Sequence, residues 1–217
     1  MKTGIKKILR VIVPKSVRFV IGSNIPKIFQ MTTLVLQNIK PINNLVSIPD
    51  TYSFREISWN DKEKLKKFYD YTGAKAFDIK VPRRLNSSRC KGFAFIDRNS
   101  GDIVYMNWIH HQYEEYLNEF HIDVSEPFIF WDSAYCLPEH RHQGLHERME
   151  QELINYSVRQ GAKNFFMQID LSNKKGNKYA LSKGYKLLNT KCVISWPTFR
   201  VYRNLLSFLK NPFKKIN

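Results

Sequence analysis

The arrangement that most restricts the fold of this chain runs through residues 128–173. An apolar, aromatic run from 128 to 137, carrying Phe128, Phe130, Trp131 and Tyr135, reads as a buried strand. It stops at Pro138, which cannot continue a sheet ladder. A polar stretch with Arg141 and Gly144 follows, and then Leu145, Met149, Leu153, Ile154 and Val158 recur at helical spacing until Gly161. A second apolar run over 162–171 closes the unit before Ser172 and Asn173. Strand, glycine turn, helix and strand in this order leave the first N–H groups of the helix without carbonyl partners. Those donors and the positive end of the helix dipole favour an anion, and the chemistry expected here is capture of a pyrophosphate.

The order Cys136, Pro138, Arg141, Gly144 and His146, with Asn173 and the pair Gly184 and Tyr185 downstream, resembles the GCN5-related N-acetyltransferases. Members carry a Val-x-Pro strand end, an Arg/Gln-x-x-Gly-x-Gly/Ala loop on the pyrophosphate of acetyl-CoA, and a late Asn followed by Gly-Phe. The resemblance spans residues 52–188 and is specific because spaced features agree in order, whereas a lone Arg-x-x-Gly would carry little. It implies a mixed α/β fold with a central, mixed, largely antiparallel sheet flanked by helices, and use of acetyl-CoA or another acyl-CoA.

Residue by residue, the resemblance implies that a strand N–H near Cys136 or Leu137 contacts the acetyl oxygen. The backbone of the loop at His142, Gln143, Gly144, Leu145 and His146 would hold the pyrophosphate, with Arg141 adding charge. Asn173 would contact the pantetheine arm or start the following helix. Two positions depart from the pattern. His146 stands where the family prefers Gly or Ala. Ala180 stands where many members carry a general-acid tyrosine, and Tyr179, one residue away, points about 100° round a helix from that position.

Acyl transfer to an amine also needs a base. Asp132 is the sharpest candidate, because strict strand alternation puts it on the face of Cys136, and burial among Phe130, Trp131 and Tyr135 would raise its pKa. The alternative is a buried structural hydrogen bond. Glu114 and His111 are further candidates, and alternation assigns Tyr135 to the core on the opposite face. No metal site is expected: His142 and His146 are four apart, but Gln143 fills the glutamate position of His-Glu-x-x-His. Cys136 reads as a small buried strand residue rather than a nucleophile.

Charge is distributed unevenly. All 19 acidic residues lie between Asp50 and Asp170, while the ends hold only basic ones, 8 in residues 1–49 and 11 in residues 171–217. Cationic ends on a nearly neutral centre point to an anionic partner: a phospholipid surface, nucleic acid or a phosphorylated carrier. Residues 1–13 place Ile5, Ile8, Leu9 and Ile12 on one helical face with lysines opposite, too short to span a membrane and suited either to an anionic interface or to packing on the domain. Val201, Leu205, Leu206 and Leu209 suggest a second such helix.

The expected organisation is a basic extension and extended connector over 1–50, an acetyltransferase domain over 51–197 and a basic tail over 198–217. A helix begins at Asn60 or Asp61 and a hairpin covers 91–109. The resemblance implies that the polar, basic segment 75–89 walls the acceptor site, where Arg83, Arg84 and Arg89 would either bind a phosphorylated acceptor or form a solvated loop. Three cysteines at wide spacing argue against a disulfide framework and for a reducing compartment, hence a cytoplasmic protein, peripheral on the inner face of a membrane if the ends bind lipid. The expected acceptor is a small-molecule amine, an amino sugar on a nucleotide or lipid carrier being the preferred case. Two other readings stay open: a catalytically silent CoA-binding module and a nucleic-acid-binding protein. Nucleic acid is disfavoured, because the basic ends lack interleaved aromatic platforms.

Overall fold

The computed structural model describes residues 27–72, 77–111, 127–195 and 200–204. Eight strands form one sheet: β1 Lys27–Gln37, β2 Tyr52–Glu56, β3 Cys90–Asp97, β4 Ile103–His111, β5 Phe128–Cys136, β6 Asn164–Asp170, β7 Lys186–Ser195 and β8 Arg200–Asn204. Their spatial order is β2-β3-β4-β5-β6-β1-β7-β8. Every neighbouring pair is antiparallel except β5 and β6. Four helices flank the sheet: α1 Lys62–Thr72, α2 Phe77–Asn86, α3 Leu145–Arg159 and α4 Lys174–Ser182. This is the mixed, largely antiparallel sheet with flanking helices that the sequence leads one to expect.

Strand alternation sorts the core into two layers. On one face Phe93, Phe95, Tyr105, Ile109, Ile129, Trp131 and Phe165 pack against Leu145, Met149 and Leu153 of α3 and Ala180 of α4. On the other, Ala94, Ile96, Met106 and Trp108 pack against Leu65, Phe68 and Tyr69 of α1 and Phe77 and Val81 of α2. Each large side chain fully removed from water contributes roughly 1.5–3 kcal/mol before its lost entropy is counted. The turn into α1 is set by Ser58 and Asp61, which cap each other's backbone, and Arg55 closes on Asp61 at 2.5 Å.

Two boundaries differ from expectation. Residues 27–37 lie not in a connector but in β1, which sits inside the sheet between β6 and β7 and bonds to both. Only residues 38–50 have the connector's character: they lie along α3, where Ile42 exchanges hydrogen bonds with Asn155 at 2.7 and 2.9 Å and Val46 N donates to Gln151 at 2.7 Å. At the other end, residues 200–204 form edge strand β8 rather than a helix. The segment 77–86, by contrast, is a helix rather than a loop, with Pro82 inside it. The amphipathic segment 1–13 and residues 205–217 lie outside the described residues. Among the described residues no helix is long and apolar enough to cross a membrane.

Candidate functional site

The site is opened by a disagreement between two parallel strands. β5 and β6 pair from Phe128 opposite Asn164 to Trp131 opposite Met167, and then they part. β6 continues bonded to β1 through Asp170, while β5 bends away over a bulge: Met106 and Trp108, two apart on β4, face Tyr135 and Asp132, three apart on β5. The bulge falls at Ser133, whose φ is +59°. A cleft of about 670 Å³ fills the gap, walled by residues 131–136 of β5, residues 167–170 of β6, the first turn of α3 and the start of α4.

At its mouth stands the start of α3. Pro138–His140 forms a short helical turn, Arg141 N donates back to Pro138 O, and His142 and Gly144 both take left-handed conformations, at φ +62° and +76°. The helix's first carbonyl bond is from Arg148 N to Gly144 O at 3.0 Å. Among the described residues, no backbone or side-chain acceptor meets the N–H groups of Gln143, Gly144, Leu145 or His146. A Cβ at Gly144 would lie 3.2 Å from Val46 and 3.5 Å from Ser47 O, so the connector and the left-handed turn both require glycine there. The Gln143 side chain faces away from the mouth, taking a hydrogen bond from Tyr52 at 2.8 Å, and so pins the loop to β2. Arg141 and Lys175 bring positive charge to the cleft, which His142 also lines. Arg141 is held by a bond from its Nε to Cys136 O at 3.2 Å and by stacking over Tyr135.

Several expected roles change. Leu137 is buried, and its N–H is committed to Val104 O at 2.9 Å, so it cannot contact an acyl oxygen. Cys136 lines the cleft, with its thiol pushed up to about 11 by burial. Asn173 caps α4 by accepting from Gly176 N at 2.9 Å while lining the cleft.

Asp132 is not a base poised near neutrality. Although burial opposes its charge, Arg84 of α2 pairs with it, and His110 and Ser133 also hold the ionised form, so its pKa lies well below the usual carboxylate range. The bulge also upsets the alternation: Asp132 faces Trp108 on one side of the sheet and Cys136 faces Tyr105 on the other. Tyr135 is half-buried: it packs edge-on against Phe68 beside the second core layer and also borders the cleft. His111 is distant from the site, at the far end of β4 opposite Ile129, bonded to Tyr156 at 3.1 Å. Glu114 lies outside the described residues.

The floor of the cleft was less legible. His146 keeps an open edge on the cleft while its ring stacks on Trp131 at 5.4 Å and its Nδ1 meets Tyr105 Oη at 2.8 Å. Tyr179 stands on the cleft wall beside it, at 5.1 Å between rings. Ala180, at the family's tyrosine position, is fully buried in the core. The helix is thus turned so that Tyr179, not its successor, borders the opening. A signal for this was available: Glu150 follows His146 by four residues on α3, and a carboxylate among the apolar positions of that helix needs a partner, which Tyr179 supplies at 2.6 Å. Among the described residues no cluster suits a metal ion.

No family model matches this sequence, and no curated protein does. The fold does match solved structures. One is a tandem GNAT protein from the clavulanic acid biosynthesis pathway, at 11% identity and TM-score 0.57, with 85% of this chain covered and 59% of the other. Another is a functionally unknown conserved protein from Staphylococcus epidermidis, at 16% identity and TM-score 0.52, covering 84% and 67%. A third is the aminoglycoside N-acetyltransferase AAC(6')-Iy in complex with CoA, at 14% identity and TM-score 0.51, covering 65% and 92%. The chain therefore spans little more than half of the tandem protein and nearly all of the aminoglycoside enzyme's length, and it has the fold of the GCN5-related N-acetyltransferases.

Proposed function

We propose that this chain is an acyl-CoA-dependent N-acyltransferase that moves an acetyl or short acyl group to a primary amine. The observation that carries the reading is the parting of β5 and β6 with unbonded N–H groups of α3 at its mouth. The residues present fit the cofactor: donors without acceptors, a glycine that keeps the backbone approachable, and Arg141 and Lys175 for phosphate charge. Bound acyl-CoA supplies an acyl group activated as a thioester.

The chain's own contributions follow from its geometry. N–H groups from Gln143 to His146 hold the pyrophosphate, and the cleft behind them excludes water from the acyl group. Asn173 fixes the start of α4 and hence the position of Tyr179. Asp132, kept ionised by Arg84, attracts the acceptor's ammonium to the bulged strand without taking its proton. The preferred acceptor is an amino sugar, free or carried on a nucleotide or lipid. The aminoglycoside enzyme of like fold makes an amino-sugar amine a sensible first class to test. The basic ends suit a phosphorylated or membrane-borne carrier, which vesicles containing anionic phospholipid would test by cosedimentation with the full chain.

A catalytically silent CoA-binding module is favoured by Ala180, since the usual acid position holds no hydroxyl. The phenol of Tyr179 on the same cleft argues for turnover instead. The test is release of free thiol from acetyl-CoA across a panel of amines beginning with amino sugars and their phosphates. Amine-dependent release supports the enzyme. CoA binding with no release for any amine supports the silent module.

A further inference from the structure

The stretch from Leu171 to Leu188, which crosses α4 and enters β7, holds four of the six large apolar side chains exposed among the described residues: Leu171, Leu181, Leu187 and Leu188. The same stretch carries Lys174, Lys175, Lys178, Lys183 and Lys186 and no acidic residue. Single exposed leucines are ordinary, but apolar side chains gathered on one surface and rimmed by charge mark a place of contact.

Two local causes bring them out. At about 100° per residue, α4 turns Ala180 into the core, Lys175 and Tyr179 toward the cleft, and Asn177 over β1, where its side chain accepts from Thr32 at 2.6 Å. Lys174, Lys178 and Leu181 are left on the outward arc, with Leu181 leaning to the side of β1 and β7. On β7, Thr33 pairs with Asn189 and Leu34 with Leu187, so Leu188 is the extra residue of a bulge. The bulge breaks the alternation that would hide one of two neighbours, and Leu187 and Leu188 are 57% and 50% exposed. β8 pairs with β7 only from Lys191 onward, so no described strand covers the edge at 186–190. Lys183 is paired with Glu147 at 2.5 Å, whereas Lys174 and Lys178 are exposed and meet no carboxylate among the described residues.

We propose that this face, the outer side of α4 with the start of β7, docks on a bilayer surface of anionic phospholipid. The lysine stems lie along the leucines and their ammonium groups reach the head-group phosphates, while Leu181, Leu187 and Leu188 enter the head-group layer. The composition favours lipid over a macromolecule. Protein interfaces concentrate aromatic residues and arginine and are poor in lysine. Single-stranded nucleic acid stacks on exposed aromatic rings, but here Tyr179 faces the cleft and Tyr185 is buried. A nucleic-acid duplex would use the lysines and leave the leucines without a role. The proposal goes beyond the acyltransferase reading, which needs neither these leucines nor a bilayer. Because the inner flank of α4 walls the cleft, docking sets the cleft mouth beside the head groups, where a lipid-borne amine is presented.

The experiment is cosedimentation of the full chain with vesicles of phosphatidylcholine, with and without phosphatidylserine, at low and high salt. Wild type is compared with the pair Lys174→Glu and Lys178→Glu, and with the pair Leu187→Ser and Leu188→Ser; Leu181→Ser replaces the second pair if β7 does not tolerate it. Hydrogen exchange of wild type with and without vesicles locates the contact with no substitution at all. Wild type is expected to bind the anionic vesicles only, to release them as salt rises, and to gain protection over residues 178–190. Each double variant should bind about tenfold more weakly and keep its affinity for acetyl-CoA. No vesicle binding would overturn the proposal. So would undiminished binding in both variants, or protection confined to residues 1–13 or 205–217, which would place the membrane contact on the chain's ends. Binding that falls with the lysines but is indifferent to the leucines, and that duplex DNA matches, would assign the face to polyanions instead. Self-association abolished by Leu187→Ser and Leu188→Ser, without vesicle binding, would assign it to a second copy of the chain. Vesicle binding without any acetyl-CoA binding would overturn the acyltransferase reading and leave the docking face standing.

Discussion

Arg84 of α2 donates to Asp132 of β5, so α2 is tied by an ion pair to the bulge that opens the cleft. The same guanidinium lies 5.2 Å from the ring centre of Trp108 and reaches Ser133 at 3.2 Å. The pair is thus a strut as well as a charge. Arg84→Met removes the guanidinium and leaves the carboxylate beside buried His110. We expect a loss of about 2–4 kcal/mol in a urea titration, whereas Arg84→Met combined with Asp132→Asn recovers more than half of it. Equal losses in the single and double variants would mean that the pair does not act as a unit.

Acid sensitivity should trace to Asp61. Its carboxyl, bonded to Arg55 and to the backbone of Ser58, sits at about 2 instead of the ordinary 3.8. A pKa lowered by folding gives stability that is present above the unfolded value and is lost as pH falls through the folded one. Wild type should therefore lose about 1–2 kcal/mol between pH 4 and pH 2 that Asp61→Asn lacks throughout, after allowing for screening at the half-exposed Arg55. Melting temperatures of the two proteins across that window give the comparison, and parallel curves would refute it.

Gly92 lies under Trp108. A Cβ added there would sit 2.9 Å from Trp108 Cζ3 and 3.2 Å from Ile57 Cδ1. Gly92→Ala should cost about 1–3 kcal/mol through overpacking. Chemical denaturation of the variant measures it, and a neutral result would mean that the Trp108 ring has room to shift.

The start of α4 depends on Asn173. Asn173→Ala removes the hydrogen bond to Gly176 N and should lower stability by about 1 kcal/mol, while also weakening acetyl-CoA binding because the α4 wall of the cleft loosens. Asn173→Asp keeps the cap and should preserve stability. Matching losses in both variants would argue against a capping role.

Much of this was legible in the sequence wherever local rules suffice. Pro138, Gly144 and the spacing of Leu145, Met149 and Leu153 describe the strand end, turn and helix because each acts within a few residues. The central place of β1 was not legible. Its partners lie more than a hundred residues away, Met31 facing Asp170 and Lys191, and a short apolar run between prolines looks the same in a connector and in a buried strand. The bulge at Ser133 escaped for a related reason: alternation counts residues and cannot see the extra one that moves Asp132 to the other face from Cys136. Tyr179 escaped because a helix's rotation is set by what it packs on. Ala180 fills the core contact, and Tyr179 is left to meet Glu150.

The central claim is that acyl-CoA sits on the start of α3, and the most direct measurement is thermal unfolding of the full chain with and without acetyl-CoA, in wild type, Arg141→Ala and Gly144→Asp. At a hundredfold excess over Kd, linkage predicts a rise of about 5–10 °C in wild type. Arg141→Ala should show a smaller rise and Gly144→Asp none, judged as the shift within each protein, since the left-handed Gly144 makes any side chain there lower the starting melting temperature. No shift in wild type, or an undiminished shift in Gly144→Asp, would contradict the account.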